Sequence, residues 1–430
     1  MADRYFIDPH CHFFNIDDIP IIPTATAQLP VNSILVLGLF FKKATLKALD
    51  RFKPFIQFFE NNRQSNLESH VSGIWETIDP AQFQGVILTP LIMDFSLIEE
   101  SRENLGDQTE KLVNAIQKVD SQLQAQRAKV FPFLGMDLRH FNHCTNSQQV
   151  AHRIRELSLD HLDPAAYQHP GLSQVGGMEN GTILGIKLYP PIGFSPFPDN
   201  PAHRRGSQCF FDLCGEKQIP ITTHCQGLEA GSYRPADVDA DELDTLTHPQ
   251  NWQRVLKEQP DLRINFAHFG GEQLVRETFF KPSQPYACKP PRDTWVWDIV
   301  EMLKAYPNTY ADISAFDFTK TTPAKALGVM LILDHNGLLD EYVKLPPNGD
   351  SCHRLRDKLM WGSDLPMTLK DNPRGYPQLF PKFTQILDLE GARENLKAST
   401  AYGDMELDIP EQKELIQGLV STNPARFLFS

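Results

Sequence analysis

The sequence predicts an α/β protein folded as a (β/α)8 TIM barrel with long loop insertions. The first observation is a series of eight short apolar runs of strand-like composition, which end near His12, Met93, Met136, Leu188, His224, His268, Ile313 and Asp364. The second is that stretches with helical spacing of apolar residues separate these runs, as at residues 105–128, 295–305 and 411–420. Eight strands alternating with helices are what this barrel requires.

The length of the chain indicates where the insertions lie. A bare barrel needs about 250 residues, and this chain has 430. We therefore expect a single domain over residues 1–430, with the surplus in loops at about 13–80, 138–182, 271–296 and 314–357. Loops that follow strands lie over the mouth of the barrel and usually set specificity.

Composition narrows the classes of function. The net charge of −13 disfavours non-specific binding to nucleic acid or to an anionic membrane. Seven cysteines without a Cys-x-x-Cys pair indicate free thiols in a reducing compartment, and no signal peptide is apparent. The most apolar run, residues 34–41, is far shorter than the roughly 20 residues that span a bilayer. We expect a cytoplasmic protein with a small-molecule substrate, and leave open whether it is a homo-oligomer.

Five potential metal ligands end these runs: His10, His12, His224, His268 and Asp364. His10 and His12 are two residues apart on a strand, so they point to the same face and could chelate one cation. Imidazole suits zinc, iron or manganese, and a carboxylate beside a cation can bind it, accept a proton from water, or do both. Because the carboxyl ends of parallel barrel strands meet at one face, the five groups are expected to converge.

Each piece of this pattern also has an ordinary structural explanation. A His-x-His pair is often incidental, a lone histidine at a strand end is often satisfied within the core, and an aspartate after a strand often caps the next segment. The five residues together are far more specific than any one of them.

Lys187 ends a further run, between Ile186 and Leu188, so its amine is expected to enter the barrel. A buried lysine needs a partner or a lowered pKa. Three roles stay open. Lys187 could bind a substrate carboxylate, pair with a barrel acid, or become carboxylated on its amine and bridge two metal ions.

Four other residues near strand ends have weaker claims. Arg139 and His140 could hold a substrate anion, although most charged loop side chains are simply solvated. Tyr189 could face the mouth of the barrel and bind substrate, or pack in the barrel wall. Asp312 could line the site or hydrogen-bond a neighbouring loop.

The set of residues resembles that of the amidohydrolase superfamily, in particular the amidohydrolase-related branch that includes aminocarboxymuconate-semialdehyde decarboxylase. The likeness runs from Asp8-Pro-His-Cys-His to Asn423-Pro-Ala-Arg-Phe-Leu, which looks like the family's closing helix motif. The resemblance implies a divalent metal, commonly zinc, bound by His10, His12, His224, His268 and Asp364. In related enzymes the histidine corresponding to His268 instead activates water or polarises the substrate, so its role stays open.

This chain also departs from the family pattern. The long insertions leave the substrate open. The strand Gly-Ile-Lys-Leu-Tyr-Pro-Pro, with Lys187 at its centre, leaves open whether one ion is bound or two.

Three hypotheses of function follow. The main one is a metal-dependent hydrolase that attacks an amide, lactone or related carbonyl bond, with Asp364 and His268 as catalytic residues. The alternative is non-oxidative decarboxylation of an unsaturated or aromatic carboxylic acid on the same metal site. The third is a catalytically silent binding barrel, which predicts a degraded ligand set and is disfavoured because all five ligand positions are intact.

Overall fold

A computed structural model describes most of the chain, namely residues 4–14, 53–55, 57–98, 104–227, 240–280, 294–318, 320–340, 343, 352–370, 375–399 and 401–430. Of the predicted insertions, those at 13–80, 271–296 and 314–357 fall partly outside the described residues.

The described strands pair in parallel throughout. They are β1 (Tyr5–Cys11), β2 (Gly85–Pro90), β3 (Ala128–Val130), β4 (Phe133–Met136), β5 (Gly185–Leu188), β6 (Ile221–Gln226), β7 (Ile264–Gly270), β8 (Thr309–Asp312) and β9 (Leu359–Met360). They form two sheets, in the orders β1-β2-β3 and β4-β5-β6-β7-β8-β9. β3 and β4 are separated only by Phe131 and Pro132. Proline has no N–H to donate to the ladder, so Pro132 interrupts the hydrogen bonding of the strand. We therefore count β3 and β4 as one strand position of the barrel.

Two isolated parallel bridges join the sheets into a ring. One pairs the residue after β2 with the first residue of β4, and the other pairs Cys11 at the end of β1 with Leu365 beyond β9. At this second junction the backbone N–H of Asp364 donates to the carbonyl of His10 at 2.8 Å. The strand order therefore returns to its start with eight strand positions, and the predicted barrel is confirmed.

The strands are apolar because both of their faces are covered. β2, β4, β5, β7, β8 and β9 are buried at every position. Strands of this kind read as continuous apolar runs rather than as alternating patterns. The few polar residues within them are therefore buried as well, which directs attention to Lys187, Asn265 and Asp312.

The helices of the described part of the chain mostly follow the strands. They are α1 (Arg63–Trp75), α2 (Leu105–Lys118), α3 (Asp120–Ala125), α4 (Ser147–Leu157), α5 (Pro201–Lys217), α6 (Ala240–Thr247), α7 (Pro249–Glu258), α8 (Glu272–Phe279), α9 (Trp295–Ala305), α10 (Thr321–His335), α11 (Tyr376–Ile386), α12 (Leu389–Lys397), α13 (Gln412–Gln417) and α14 (Asn423–Phe429). None of these helices is long and apolar enough to cross a membrane. The six cysteines among the described residues are free.

Each of the three predicted helices has an observed counterpart, although one is divided in two and another continues into the next helix. The helix predicted over residues 105–128 is two helices, α2 and α3, which meet at Val119. The helix predicted over 295–305 is α9. The helix predicted over 411–420 is α13, which continues through a π-helical turn at Gly418–Thr422 into α14.

The last helix packs against the amino-terminal half of the barrel interior. Phe427 of α14 lies 6.2 Å from the ring of Phe133 and 5.6 Å from that of Tyr310, between ring centroids. These side chains belong to a buried apolar cluster that also contains Ile7 and Met360. This end of the barrel is therefore filled with apolar side chains, and its polar residues collect toward the other end.

Candidate metal centre

Three of the predicted ligands lie at the spacing of groups that share one ion. His10 Nε2 lies 3.5 Å and His12 Nε2 lies 3.6 Å from Asp364 Oδ1. Ligand atoms bound tetrahedrally at about 2.1 Å from a zinc ion are about 3.4 Å apart. All three side chains are buried at the junction of β1 with the segment beyond β9.

Hydrogen bonds orient the imidazoles of His10, on β1, and of His12, just beyond it. Nδ1 of His12 donates to the carbonyl of Leu91 at 2.8 Å, and Nδ1 of His10 donates to Asp312 Oδ2 at 3.0 Å. Carbonyl and carboxylate oxygens only accept, so both Nδ1 atoms carry the hydrogen and both Nε2 atoms present lone pairs. Nε2 of His10 is buried without a hydrogen-bond partner. This arrangement is that of metal-binding histidines, whose second nitrogen is held by an acceptor.

His224 adds another orphaned nitrogen. Its Nε2 is buried without a hydrogen-bond partner, and its ring centroid lies 4.8 Å from those of His268 and Tyr189. Burial, together with the nearby His268 and Lys187, lowers the pKa of His224 well below its usual value. The imidazole is therefore neutral, which is the form that binds metal ions. The donor set thus fits a divalent cation.

The ring of His268 lies close to the rings of both His10 and His224. Its ring centroid is 4.8 Å from those of His10 and His224. Nδ1 lies 3.4 Å from the carbonyl oxygen and 3.0 Å from Oγ of Ser314. Burial lowers the pKa of His268 to about 4, against an opposing effect of Asp364. His268 is therefore neutral at pH 7.

Two of the predicted residues have a backbone conformation that is unusual for side chains with a Cβ. The φ angles of His268 and Asp364 are 65° and 47°. Such left-handed residues cost roughly 1–2 kcal/mol each. Hydrogen bonds hold them in place, because His268 N donates to Asp312 Oδ1 at 3.2 Å and Asp364 N donates to His10 O at 2.8 Å. Strain of this kind is typical of functional sites.

Asp312 connects several of these groups. Its Oδ2 accepts from His10 and from Asn265 Nδ2 at 2.7 Å, and its Oδ1 accepts from the backbone of His268 and of Ser314. Burial alone would raise the pKa of Asp312, but His10, His268 and the Ser314 hydroxyl outweigh it and hold the pKa far below the usual range. The side chain of Asp312 therefore lines the candidate centre, and it hydrogen-bonds the candidate ligand His10.

Asp364 is ionised at neutral pH. Burial raises the pKa of its carboxyl group, but the neighbouring His12, His268 and His10 lower the pKa to about 2. In turn, burial lowers the pKa of His12, with Asp364 as the main opposing influence. The centre therefore combines an anionic carboxylate with the neutral imidazoles of His12, His224 and His268, as a metal site requires.

Lys187 points into the barrel as predicted. Its neighbours Ile186 and Leu188 pack in the large apolar cluster between the strands and the surrounding helices, here called the outer cluster. Lys187 itself is 2% exposed. Burial lowers its pKa to about 8, although Asp312 and Asp364 raise it. Within the described part of the chain, no hydrogen bond and no ion pair within 4.0 Å engages its amine. The predicted pairing with a barrel acid is thus not formed at contact distance.

Tyr189 and Arg139, the weaker candidates, differ in position. Tyr189 contacts the ring of His224 and lies 6.4 Å from that of Phe95, so it borders the candidate centre. Arg139 pairs with Asp137 at 2.5 Å and donates to the carbonyl of Ile192 at 3.2 Å, with a third of its side chain exposed. Its charge is therefore compensated by Asp137.

Sequence reasoning did not single out some residues that support the centre. Asn265 lies on β7 between apolar neighbours that face outward, and Ser314 lies just beyond β8, directly after such a neighbour. This alternation was the signal in the sequence that could have placed both side chains inside the barrel. His70, whose Nε2 lies 2.9 Å from Asp8 Oδ2, carries no such signal because it lies on a helix of the first insertion.

Histidines and a carboxylate that converge at the carboxyl ends of parallel barrel strands define a barrel with a candidate metal centre at its mouth. The family model described as amidohydrolase matches residues 178–429, more than half of the chain, and the chain therefore belongs to the amidohydrolase family. The resemblance to the amidohydrolase superfamily is confirmed, and the protein is an enzyme of a metal-dependent family.

Several solved structures are similar to this chain. A probable 2-pyrone-4,6-dicarboxylic acid hydrolase from Acinetobacter baumannii is 13% identical over 96% of this chain and 99% of its own, with a TM-score of 0.40. A 5-carboxyvanillate decarboxylase from Novosphingobium aromaticivorans with bound manganese is 13% identical over 99% and 97%, with a TM-score of 0.42. A dihydroorotase from Campylobacter jejuni is 12% identical over 98% and 82%, with a TM-score of 0.40. A comparison with curated proteins finds no match.

Proposed function

We propose that this enzyme is a metal-dependent hydrolase that attacks an amide, lactone or related carbonyl bond, with zinc as its ion. The observation that carries the proposal is the placement of His10 Nε2, His12 Nε2 and Asp364 Oδ1 at ligand spacing, beside the orphaned Nε2 of His224. An ion held there supplies Lewis acidity, lowering the pKa of a water molecule to about 7 and polarising a carbonyl oxygen.

The residues divide into holding and reacting groups. His10, His12 and His224 offer imidazole nitrogens, and Asp364 offers an anionic oxygen. The carbonyl of Ser314 can only accept, so Nδ1 of His268 carries the hydrogen and its Nε2 presents a lone pair. That lone pair can complete the ligand set or take a proton from the reacting groups.

Asp364 is the proposed proton carrier. Its carboxyl group is ionised at neutral pH, so it can accept a proton from the attacking water and later deliver it to the leaving group. We expect Asp364→Ala to abolish turnover, measured with purified protein on a panel of amides and lactones. Full activity in this variant would refute the mechanism.

Lys187 is the proposed anchor for a substrate carboxylate. Its buried amine has no contact partner in the described structure, and an incoming carboxylate would supply one. Tyr189 would border the bound substrate, and Arg139 would contact it only by leaving Asp137. The other arrangement is a carboxylated Lys187 that bridges two ions. Elemental mass spectrometry of protein purified without chelators separates the two, because one equivalent supports the anchor and two support the bridge.

Decarboxylation of an unsaturated or aromatic acid is the second candidate. The observation that favours it is a pair of flat rings beside the centre, since Phe14 lies 5.3 Å from His12 and Tyr189 lies 4.8 Å from His224. Together with the Lys187 amine, these rings suit a planar carboxylic acid. Incorporation of 18O from labelled water into the product indicates hydrolysis, whereas release of carbon dioxide without such incorporation indicates decarboxylation.

A further inference from the structure

β1 contains a register irregularity between Asp8 and Cys11. Before it, Phe6 packs in the outer cluster beneath the helices and Ile7 packs in the interior cluster. Side chains alternate along a regular strand, so His10 would share the outer side with Phe6. The irregularity turns His10 inward instead. The candidate metal centre therefore depends on whatever holds this irregularity in place.

The carboxylate of Asp8 spans the irregularity and the neighbouring segment. Its Oδ1 accepts from the backbone N–H of His10 at 3.3 Å and from that of Ser363 at 3.0 Å. Asp8 is fully buried, and Ser363 directly precedes Asp364. One carboxylate oxygen thus fixes the backbone beside ligands from both ends of the chain.

His70 holds the other oxygen of this carboxylate. Its Nε2 lies 2.9 Å from Asp8 Oδ2 and must carry the hydrogen, because a carboxylate only accepts. The ring of His70 also lies edge-on to Phe13, with centroids 5.8 Å apart. Helix α1 therefore contacts the first strand on both sides of the His10-Cys11-His12 sequence.

The distance between His70 and Asp8 indicates a hydrogen bond rather than two ligands of a shared metal ion. Asp8, Cys11 and His70 lie close enough to be considered as ligands of an ion of their own. However, 2.9 Å between Nε2 of His70 and Oδ2 of Asp8 is shorter than the about 3.4 Å that separates ligands of one tetrahedral ion.

We propose that Asp8 and His70 are positioning residues, which act through the backbone to set the spacing of His10, His12 and Asp364 and thereby the metal affinity. This inference rests on the proposed metal site. Without the hydrogen bond from His70, the buried carboxylate would turn toward another donor, and its hold on the two backbone segments would weaken.

The test compares His70→Gln with His70→Asn. The glutamine amide reaches the position of the histidine Nε2, whereas the asparagine amide falls short of Asp8. Val71→Ala is the matched control, because Val71 is a fully buried neighbour on α1 whose side chain cannot hydrogen-bond. For each protein, zinc affinity of the metal-free form, the visible spectrum of the Co(II) form and the Tm of the metal-free form are measured.

We expect His70→Asn to bind zinc about 10–100-fold more weakly, as removal of partners behind metal ligands usually does, and to alter the Co(II) spectrum. His70→Gln should restore both, and Val71→Ala should lower Tm without affecting either. Wild-type affinity and spectrum in His70→Asn, alongside a wild-type protein that binds zinc, would overturn the positioning role alone. A wild-type protein that binds no zinc or Co(II) would overturn the proposed function and this inference together.

Discussion

Gly362 lies directly against His10, and replacing it with alanine tests how closely the candidate metal centre is built. A Cβ at position 362 would lie 2.7 Å from His10 Cβ and 3.2 Å from Ser314 Cβ. Carbon atoms in contact prefer separations of about 3.5–4.0 Å, so His10 or the segment that leads to Asp364 must move by roughly 0.8 Å. Ligand distances in metal sites hold to within about 0.2 Å. The added methyl group therefore moves a ligand several times farther than the site tolerates.

We expect Gly362→Ala to bind zinc at least about tenfold more weakly, equivalent to about 1.4 kcal/mol. Overpacking should also lower the free energy of unfolding by about 1–3 kcal/mol. The assay is a competition titration of metal-free protein against a chromophoric chelator, with Tm measured in parallel. Gly177→Ala is the control, because a Cβ there meets nothing within 4 Å. Unchanged zinc affinity in Gly362→Ala would refute the argument from ligand spacing.

Three further outcomes are expected. Asp312→Asn, which removes the negative charge behind His10, should weaken zinc binding about 10–100-fold in the same titration, and wild-type affinity would contradict the role given to Asp312. Because the pKa of His268 is about 4 when folded and higher when unfolded, protons bind the unfolded chain first as pH falls from about 6.5 to 4, so stability falls through this window. Over that pH range the Tm of the metal-free protein should decline less in His268→Gln than in the wild type. Identical declines would contradict a lowered pKa of His268 in the folded protein. Lys187→Met removes a buried amine that has no hydrogen-bond or ion-pair partner among the described residues, so Tm should rise with metal content unchanged; loss of an ion would instead indicate a bridging lysine.

The barrel could be predicted because its strands are buried on both faces. A strand with a solvent-exposed face would alternate polar and apolar residues. Runs such as the one ending at Leu188 are buried on both faces and are therefore almost continuously apolar, which identifies them as strands. Barrel closure then brings residues as distant as His10 and Asp364 together, which is why the candidate ligands could be named from the sequence. The inward direction of the Lys187 side chain could be predicted as well, because its neighbours on β5 are apolar and face outward.

The supporting contacts could not be predicted, because they depend on local irregularities and on an insertion. Simple alternation from Phe6 would place His10 on the outer side, and only the irregularity in β1 corrects this. Asp364 was expected to end a strand, but β9 is only two residues long and Asp364 lies beyond it in a left-handed conformation. Nothing in the sequence around His70 indicates that its helix packs against Asp8, since helix packing is set by tertiary contacts.

Among the described residues, helix α14 closes the amino-terminal end of the barrel. Phe427 and the side chains around it fill the amino-terminal end of the interior, so molecules cannot pass through the barrel from one end to the other. For the proposed function, substrate and product must therefore both use the carboxyl-terminal face of the barrel, where the candidate metal centre lies. A product molecule has to leave before the next substrate enters, and the two compete for one passage as well as for one site.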